Sequence, residues 1–177
     1  ARVMGRFSQL AVAATRLALD DARLIITKNL SPQIAISYGT SVGGGDVAAL
    51  AFEALQKAGV EGISPWSALE YPAHAATSYL AIEFGISGPA ISISSNCCTG
   101  IDAIYSGYSA IAHGTATTAI VGASDAPIFP LSFGSLCALG ALTRRNSEPT
   151  KASRPYDALR DGIVIAEGSA TLVLEDL

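Results

Sequence analysis

The sequence predicts an α/β domain in which helices cover both faces of a sheet. Helical and strand-like patterns alternate along the chain. The strand-like segments, such as residues 34–38 and 118–122, lack a polar face, and strands buried on both sides belong to sheets covered by helices on both faces. The chain has 177 residues, of which 50% are hydrophobic, and this is enough for one buried core of ordinary domain size.

The first predicted elements are a helix and a strand. Residues 7–26 carry apolar side chains at helical spacing with charged side chains opposite, which is typical of an amphipathic helix. Pro32 follows its end and starts a new element. Residues 34–38 then form a short strand that Gly39 ends.

Two further helices are predicted before the next strand. The three glycines at positions 43–45 open a helix that runs to about residue 58. After a loop with two prolines, residues 73–84 form a helix that Gly85 closes, because glycine readily adopts the left-handed conformation of a helix end.

A strand and a helix surround a pair of cysteines. Residues 90–94 have the alternation of a strand, and residues 99–113 repeat apolar side chains at helical spacing. The helix is apolar nearly all round, with only Asp102 charged, so we expect it to be buried between layers.

The last third of the chain is predicted to hold two strands and a charged loop. The strands are residues 118–122 and 170–174. Between them, residues 153–168 mix charges with glycines and a proline, which indicates an ion-paired loop at an interface. No linker is predicted to divide the chain.

The charge content excludes several classes of partner. Only 15% of the residues are charged, against an average of about 25%, so part of the surface is expected to face protein, as an oligomer or a second half. The net charge is −4, and no basic cluster exceeds Arg144-Arg145, so a nucleic-acid-binding surface is not expected.

No apolar run approaches the roughly 18 residues of a membrane span. Residues 1–6 have no apolar signal core and read as a cut rather than a natural start.

The cysteines and histidines indicate neither disulfides nor a metal site. Three cysteines, two of them adjacent, make a poor disulfide framework, so a reducing compartment and a cytoplasmic location are expected. The two histidines, His74 and His113, are far apart, and no metal-ligand spacing is present. His113 precedes a glycine at a helix end, where a cation fits the dipole without a catalytic role, and His74 has no assigned role.

Residues 91–100, Ile-Ser-Ile-Ser-Ser-Asn-Cys-Cys-Thr-Gly, place a thiol between a strand and a helix. A sulfur at the first turn of a helix lies near unpaired backbone N–H groups, which favour a thiolate and could hold an oxyanion. From its position alone, Cys97 is as well explained as a buried packing residue as it is as a nucleophile. Cys98 and Cys137 are predicted to be packing residues.

The glycine-rich run at residues 39–45 allows two interpretations. Its backbone N–H groups could cradle a phosphate at a helix start. It matches neither a Gly-x-Gly-x-x-Gly fingerprint nor a Walker loop, so a tight turn that lines a pocket is favoured.

Several separated segments together resemble one family, the β-ketoacyl-acyl-carrier-protein synthases of the thiolase superfamily. Besides residues 91–100 and 39–45, they are Phe-Gly-Ile-Ser-Gly-Pro at 84–89 and the charged residues of 153–168. The resemblance implies a thiolase-like αβα fold, of which residues 1–177 are the amino-terminal half with a mixed five-stranded sheet. It implies that the carboxy-terminal half, which carries the family's two catalytic histidines, is absent from this sequence.

The resemblance also implies a reaction and its residues. Cys97 would accept an acyl group, which then undergoes decarboxylative Claisen condensation with a malonyl thioester in fatty acid or polyketide synthesis. Both substrates would be carried on the phosphopantetheine of an acyl carrier protein, with no cofactor or metal bound, by a homodimer or heterodimer. Val42 would gate the acyl pocket, and Leu136 stands where phenylalanine is frequent. Asn96 replaces the usual alanine before the nucleophile.

Two alternatives remain beside this interpretation. One is another thiolase-superfamily enzyme, such as a thiolase or a starter-unit condensing enzyme, and the charged residues 153–168 argue against it. The other is a non-catalytic partner resembling a chain-length factor, or a truncated subunit. The cysteine at position 97 argues against this, because such subunits typically lose it.

Overall fold

The computed structural model describes residues 4–176, so the first three residues of the predicted cut end lie outside the described chain. The chain forms two compact units, although no linker was expected. Pro127–Glu167 is one unit, and the rest of the described chain is the other. The smaller unit is held by its own bonds, including that from the Thr143 N–H to the Ile163 carbonyl. The sequence shows no linker pattern at the ends of the smaller unit, because a unit that is held by its own contacts does not need a flexible segment there.

The larger unit alternates helices and strands as the sequence predicts. Its first elements are α1 (Arg6–Asp21), β1 (Ile34–Gly39), α2 (Gly45–Ala58), the short α3 (Ser67–Glu70) and α4 (Ala75–Phe84). They are followed by β2 (Ala90–Ile93), α5 (Thr99–Ala112), β3 (Thr118–Asp125) and, after the smaller unit with its helix α6 (Pro130–Ala138), by β4 (Gly168–Glu175). The first predicted helix is five residues too long, because the chain turns at Arg23, whose φ is 52°.

The sheet is mixed, as predicted, and its strand order is β2-β1-β3-β4. β1 runs parallel to β2 and β3, and β4 runs antiparallel to β3. Within residues 4–176 the sheet has four strands, so the expectation of five is wrong. In the smaller unit, β pairing is limited to an isolated bridge between Leu142 and Ile163, which is too short to make a strand.

Burial differs between the central and the edge strands. All six residues of β1 are buried, and β3 is nearly as covered. β2 is mostly exposed, and β4 alternates between exposed and half-buried residues. The apolar pattern therefore predicts burial on both faces correctly for the two central strands and wrongly for β2 and β4, which lie at the edges of the sheet.

Helices cover both faces of the sheet, which confirms the predicted αβα layers. On one face, Phe7 of α1 and Leu80 of α4 belong to a core cluster with Ile36 and Ile120 of the central strands. On the other face, α5 lies against β1 and β3, where Val121 is fully buried. The core is thus split by the sheet into two layers.

Helix α5 is not buried all round, contrary to expectation. Its buried residues, Thr99, Ala103 and Gly107, recur every four positions and so form one stripe. Outside this stripe, Ile101 is 73% exposed and Tyr105 is 68% exposed. The helix rests on the sheet with one face, and no other described element covers its outer side.

Candidate active site

The carboxyl ends of three parallel strands meet at one edge of the sheet. Gly39 at the end of β1 is in register with Ile93 at the end of β2 and with Ala123 near the end of β3. The segments that follow these strands must therefore lie close together. In open α/β sheets this edge is where ligands bind.

Cys97 lies in a sharp turn between β2 and α5. After two serines, Asn96–Cys98 forms a single turn of 3-10 helix that runs directly into α5. Asn96 has a φ of 58°, a left-handed conformation that asparagine tolerates better than most residues. The turn leaves the free thiol of Cys97 exposed at the start of the helical segment.

The predicted packing roles of Cys98 and Cys137 are wrong for the described chain, because both thiols are also free and exposed. Cys98 is the N-cap residue of α5, at the end of the sheet rather than beneath the helix. Cys137 belongs to α6, a helix with no buried residue. Exposure therefore does not distinguish the three thiols, whereas their surroundings do.

The side chain of Thr99 holds the turn closed. Its Oγ1 accepts the backbone N–H of Ser95 at 2.9 Å and donates to the Asn96 carbonyl at 2.6 Å. Thr99 itself is buried. A Cβ on Gly39 would lie 2.1 Å from Thr99 Cγ2, so glycine at the end of β1 is what allows the turn to approach the sheet.

The glycine-rich loop after β1 is held by the carboxylate of Asp125. This carboxylate accepts the Thr40 hydroxyl at 2.8 Å, the Ser41 N–H at 3.0 Å and the Val42 N–H at 2.8 Å. The Gly43 N–H donates to Thr40 Oγ1. These N–H groups are occupied within the protein, which argues against a phosphate cradle and supports the tight turn.

Ser41 joins this loop to the turn that carries the thiol. Ser41 Oγ donates to Asn96 Oδ1 at 3.1 Å, and the same oxygen lies 3.9 Å from Cys97 Sγ. The structure thereby brings together the segments of two predicted site residues, Cys97 and the partly exposed Val42. Leu136, the third, is half-buried on α6 in the smaller unit, and its part in a substrate pocket stays a prediction.

Both histidines are exposed, and each contacts its own helix. His74 directly precedes α4, with Nδ1 3.4 Å from Ser78 Oγ. His113 is the C-cap of α5, and its ring nitrogen donates to the Ser109 carbonyl at 2.8 Å. The predicted position of His113 at a helix end is confirmed.

The charged loop forms ion pairs, as predicted, and they lie within the smaller unit. Asp161 accepts the Thr143 hydroxyl at 2.8 Å and pairs with Arg145 at 3.2 Å. The Thr143 hydrogen bond, the Arg144 N–H and the Arg145 guanidinium hold the pKa of Asp161 below its usual value. Arg154 and Asp157 form a second, longer pair at 3.9 Å.

Three residues that organise the turn, Ser41, Thr99 and Asp125, were not singled out from the sequence. A signal was available for Asp125, because a polar residue directly after a buried strand lies at the functional edge of a parallel sheet. The predicted strand ended three residues too early for this to be seen. Ser41 acts through a contact with Asn96, 55 residues away, which depends on the fold. Thr99 acts through the backbone of Ser95 and Asn96, a local contact that depends on how the chain turns there.

The arrangement is suited to nucleophilic chemistry at sulfur. An exposed thiol lies at the start of a helical segment, where backbone N–H groups can stabilise negative charge on a bound oxygen. Among residues 4–176, no three His, Cys, Asp or Glu side chains are grouped closely enough to hold a metal ion. Within the same range, every helix is too short or too polar to cross a membrane.

Comparison with known proteins identifies the family. A family model described as "Beta-ketoacyl synthase, N-terminal domain" matches residues 1–177. A 3-oxoacyl-[acyl-carrier-protein] synthase 2 of Coxiella burnetii is 36% identical over 171 residues, which are 97% of this chain and 41% of the relative.

Solved structures agree with this match. The crystal structure of a β-ketoacyl synthase from Burkholderia phymatum superposes with a TM-score of 0.87 at 31% identity, over 99% of this chain and 43% of that one. A second solved structure is a type II polyketide synthase acyl-carrier protein in complex with its ketosynthase bound to the hexaketide. A chain of this complex superposes with a TM-score of 0.85 at 30% identity, over 96% of this chain and 43% of that one. The chain thus spans less than half the length of these proteins. By the family match over its whole length and by its thiolase-like fold, the chain belongs to the β-ketoacyl synthases and corresponds to their N-terminal domain.

Proposed function

We propose that this chain supplies the acyl-accepting part of a β-ketoacyl synthase and that Cys97 is its nucleophile. The observation that carries the proposal is the position of the Cys97 thiol, which is exposed in the turn between β2 and α5 at the carboxyl edge of the sheet. Thr99 closes this turn and Ser41 ties it to the glycine loop, so the thiol is presented by a fixed piece of backbone. A fixed nucleophile loses little entropy when it meets its substrate.

The first step would be transfer of an acyl group to Cys97. The sulfur attacks the carbonyl carbon of an acyl thioester, and backbone N–H groups at the helix start stabilise the oxyanion that forms. The tetrahedral intermediate collapses by breaking the bond between the acyl carbon and the sulfur of the carrier that delivered the acyl group. The carrier leaves as a thiol, having taken up the proton that Cys97 lost.

The second step would be condensation with a malonyl thioester. Loss of carbon dioxide leaves a carbanion, which attacks the carbonyl of the acyl group on Cys97. A carbon–carbon bond forms, the bond to Cys97 breaks, and the thiolate is regenerated. The family resemblance assigns proton and charge handling in this step to two histidines in motifs that this sequence does not contain. His74 and His113 are not proposed to replace them, because each contacts its own helix.

Val42 and Leu136 are proposed to shape the acyl pocket. For Val42, support comes from its loop, which Ser41 links to the Cys97 turn, and from its 37% exposure. For Leu136, support comes only from the family resemblance and from its partly exposed position on α6.

The proposed partners are an acyl carrier protein and a second synthase subunit. The first is supported by the solved complex between a ketosynthase and its acyl-carrier protein. The second is supported by β2, an edge strand with one unpaired side and an exposed Ile91, since such edges are usually covered in native proteins. Substrates would arrive on the phosphopantetheine of the carrier.

The test is whether acyl loading and condensation depend on Cys97. Full-length protein is incubated with an acyl-carrier thioester, and the adduct is mapped by mass spectrometry. We expect acylation of Cys97, loss of it in Cys97→Ala, and little change in Cys98→Ala, which removes the adjacent thiol that is also exposed. Labelling mainly at Cys98 or Cys137, or none at all as for a non-catalytic subunit, would contradict the proposal.

A second measurement separates the two steps. The 177-residue chain should acylate slowly and release no carbon dioxide from a malonyl thioester, whereas a longer chain that includes the histidine motifs should do both. Decarboxylation by the 177-residue chain that His74→Ala or His113→Ala abolishes would show that this chain carries the second step itself.

A further inference from the structure

The side chain of Asn96 lies between the glycine loop and the thiol of Cys97. Its Oδ1 accepts a hydrogen bond from Ser41 Oγ at 3.1 Å and lies 3.9 Å from Cys97 Sγ, within the range of a hydrogen bond to sulfur. The left-handed backbone conformation of Asn96 fixes the direction of its Cα–Cβ bond, and the hydrogen bond from Ser41 fixes the position of its amide. The amide is therefore held beside the sulfur from both ends.

We propose that Asn96 is a positioning residue for Cys97. The side-chain amide of Asn96 hydrogen-bonds the Cys97 sulfur, and Ser41 holds that amide in place. This rests on the proposed role of Cys97 as nucleophile. The amide is suited to the task because it carries an acceptor oxygen and a donor nitrogen on one rigid group. A single side chain can thus bond the sulfur in both of its protonation states.

The two states use opposite ends of the amide. When the sulfur is a thiol, S–H donates to Oδ1. When the proton has left, a half-turn of the amide exchanges Oδ1 for Nδ2, which donates one N–H to the thiolate and the other to Ser41 Oγ. The contact with Ser41 survives the turn, because a serine hydroxyl both donates and accepts.

The charges around this turn make a neutral donor useful. The Asp125 carboxylate holds the loop from the end of β3, and the Asp102 carboxylate on α5 accepts the Ser95 hydroxyl. Cys98 is the neighbouring titratable group on the turn itself. Nearby carboxylates disfavour a second negative charge, and a hydrogen bond to the charged form favours it. The Asn96 amide supplies such a bond without adding charge.

The test measures the alkylation rate of Cys97 by iodoacetamide against pH, with each cysteine resolved by mass spectrometry. Asn96→Gly removes the amide and keeps a residue that accepts the left-handed backbone. We expect it to slow alkylation of Cys97 on the order of 3- to 10-fold near neutral pH and to move the midpoint of the pH–rate profile upward. Asn96→Asp, which places a negative charge at the same position, should move the midpoint further in the same direction.

Three further variants define the role of Ser41 and supply the control. Ser41→Ala should have a smaller effect than Asn96→Gly, and the double variant should resemble Asn96→Gly alone, because both changes remove one interaction. The matched control is Asn29→Gly, an exposed asparagine near the amino end of β1, at the opposite edge of the sheet. It should leave the profile of Cys97 unchanged.

An unchanged midpoint in Asn96→Gly would overturn the proposal, and so would a uniform loss of rate at every pH, which would indicate a merely structural role. Thermal unfolding of each variant identifies any loss of fold. The proposed function is decided separately by acyl transfer to Cys97 in the unaltered protein. Either idea can therefore fail without the other.

Discussion

Both carboxylate oxygens of Asp125 lie 3.0 Å from the backbone nitrogen of Ser41, 84 residues away in the sequence. The contact joins the end of β3 to the loop after β1. Ser41 also bonds the side chain of Asn96, the residue before Cys97. The Asp125 carboxylate therefore helps to position Asn96, although it lies outside the Cys97 turn. Support of this kind, one step removed from the reacting atom, keeps a nucleophile in place.

Asp125→Ala is expected to loosen the glycine loop. It removes the acceptor of the Ser41 and Val42 N–H groups and of the Thr40 hydroxyl, and hydrogen bonds to a charged group contribute a net stabilisation of about 1.5–3 kcal/mol each. Since this loop is partly exposed, water can replace the lost acceptor for some of these groups in the variant. We therefore expect a loss of about 1–3 kcal/mol in the free energy of unfolding.

Hydrogen exchange is the sharper measurement for this variant. The amides of Ser41 and Val42 should lose protection in Asp125→Ala and keep part of it in Asp125→Asn, which retains one acceptor oxygen. Unchanged protection in Asp125→Ala would mean that the loop holds itself.

Thr99→Val is expected to disturb the turn without changing the size of the side chain. The variant leaves the Ser95 N–H and the Asn96 carbonyl without the Thr99 hydroxyl, and each lost bond costs about 0.5–1.5 kcal/mol. Unfolding in urea should therefore show a loss of about 1–3 kcal/mol. Alkylation of Cys97 should slow as well. Thr99→Ser, which keeps the hydroxyl, should retain most of both properties.

Gly107→Ala is expected to push α5 away from the sheet. A Cβ at this position would lie 2.1 Å from Cγ1 of the fully buried Val121, and forcing extra atoms into a packed core costs about 1–3 kcal/mol. The better helix propensity of alanine recovers up to about 1 kcal/mol. Urea unfolding should therefore show a net loss of stability.

Two companion variants test this explanation. In a Val121→Ala background, Gly107→Ala should cost little, because the clashing methyl group is gone. Gly134→Ala on α6, where an added Cβ meets no atom within 4 Å, should not destabilise the protein. An equal cost with and without Val121 would point to a cause other than this contact.

Tyr79→Phe is expected to weaken the dependence of stability on pH in the alkaline range. Burial, together with the hydrogen bond and the negative charge of Glu70, raises the pKa of Tyr79 to about 12. The folded state thus favours the neutral phenol. This contribution is fully present below the ordinary tyrosine pKa of about 10 and is lost as the pH rises through about 12.

The measurement compares the free energy of unfolding at about pH 9 and about pH 11, either side of the ordinary tyrosine pKa. The unaltered protein should lose more stability over this interval than Tyr79→Phe. The control is Tyr156→Phe, at a tyrosine that is 97% exposed, which should behave like the unaltered protein. Parallel curves for Tyr79→Phe and the unaltered protein would contradict the prediction.

The parts of the fold that local patterns determine were predictable from the sequence. β2, α5 and the turn between them lie within one residue of their predicted positions, because strand and helix periodicities change sharply at the cysteine pair. Helix α6 was missed, since it is short and its apolar residues Leu131, Phe133 and Leu136 are spread around it rather than gathered on one face.

What depends on distant contacts was not predictable. The bond between Asp125 and Ser41 exists only because β1 and β3 are neighbours in the sheet. The exposure of Ile101 and Tyr105 was also missed, because an apolar pattern reports that a surface needs cover and not whether this chain supplies it. The same limit explains the incorrect placing of Cys98 in the core.

The late arrival of β4 has a consequence for how the protein folds as it is synthesised. The hydroxyl of Thr171 on β4 bonds both Thr15 of α1 and Tyr38 of β1, so the first helix lacks this partner until a residue 156 positions further along the chain has been synthesised. The turn around Cys97 needs only strands that emerge by residue 125. We therefore expect nascent chains to form the thiol turn before α1 gains its contacts with β4.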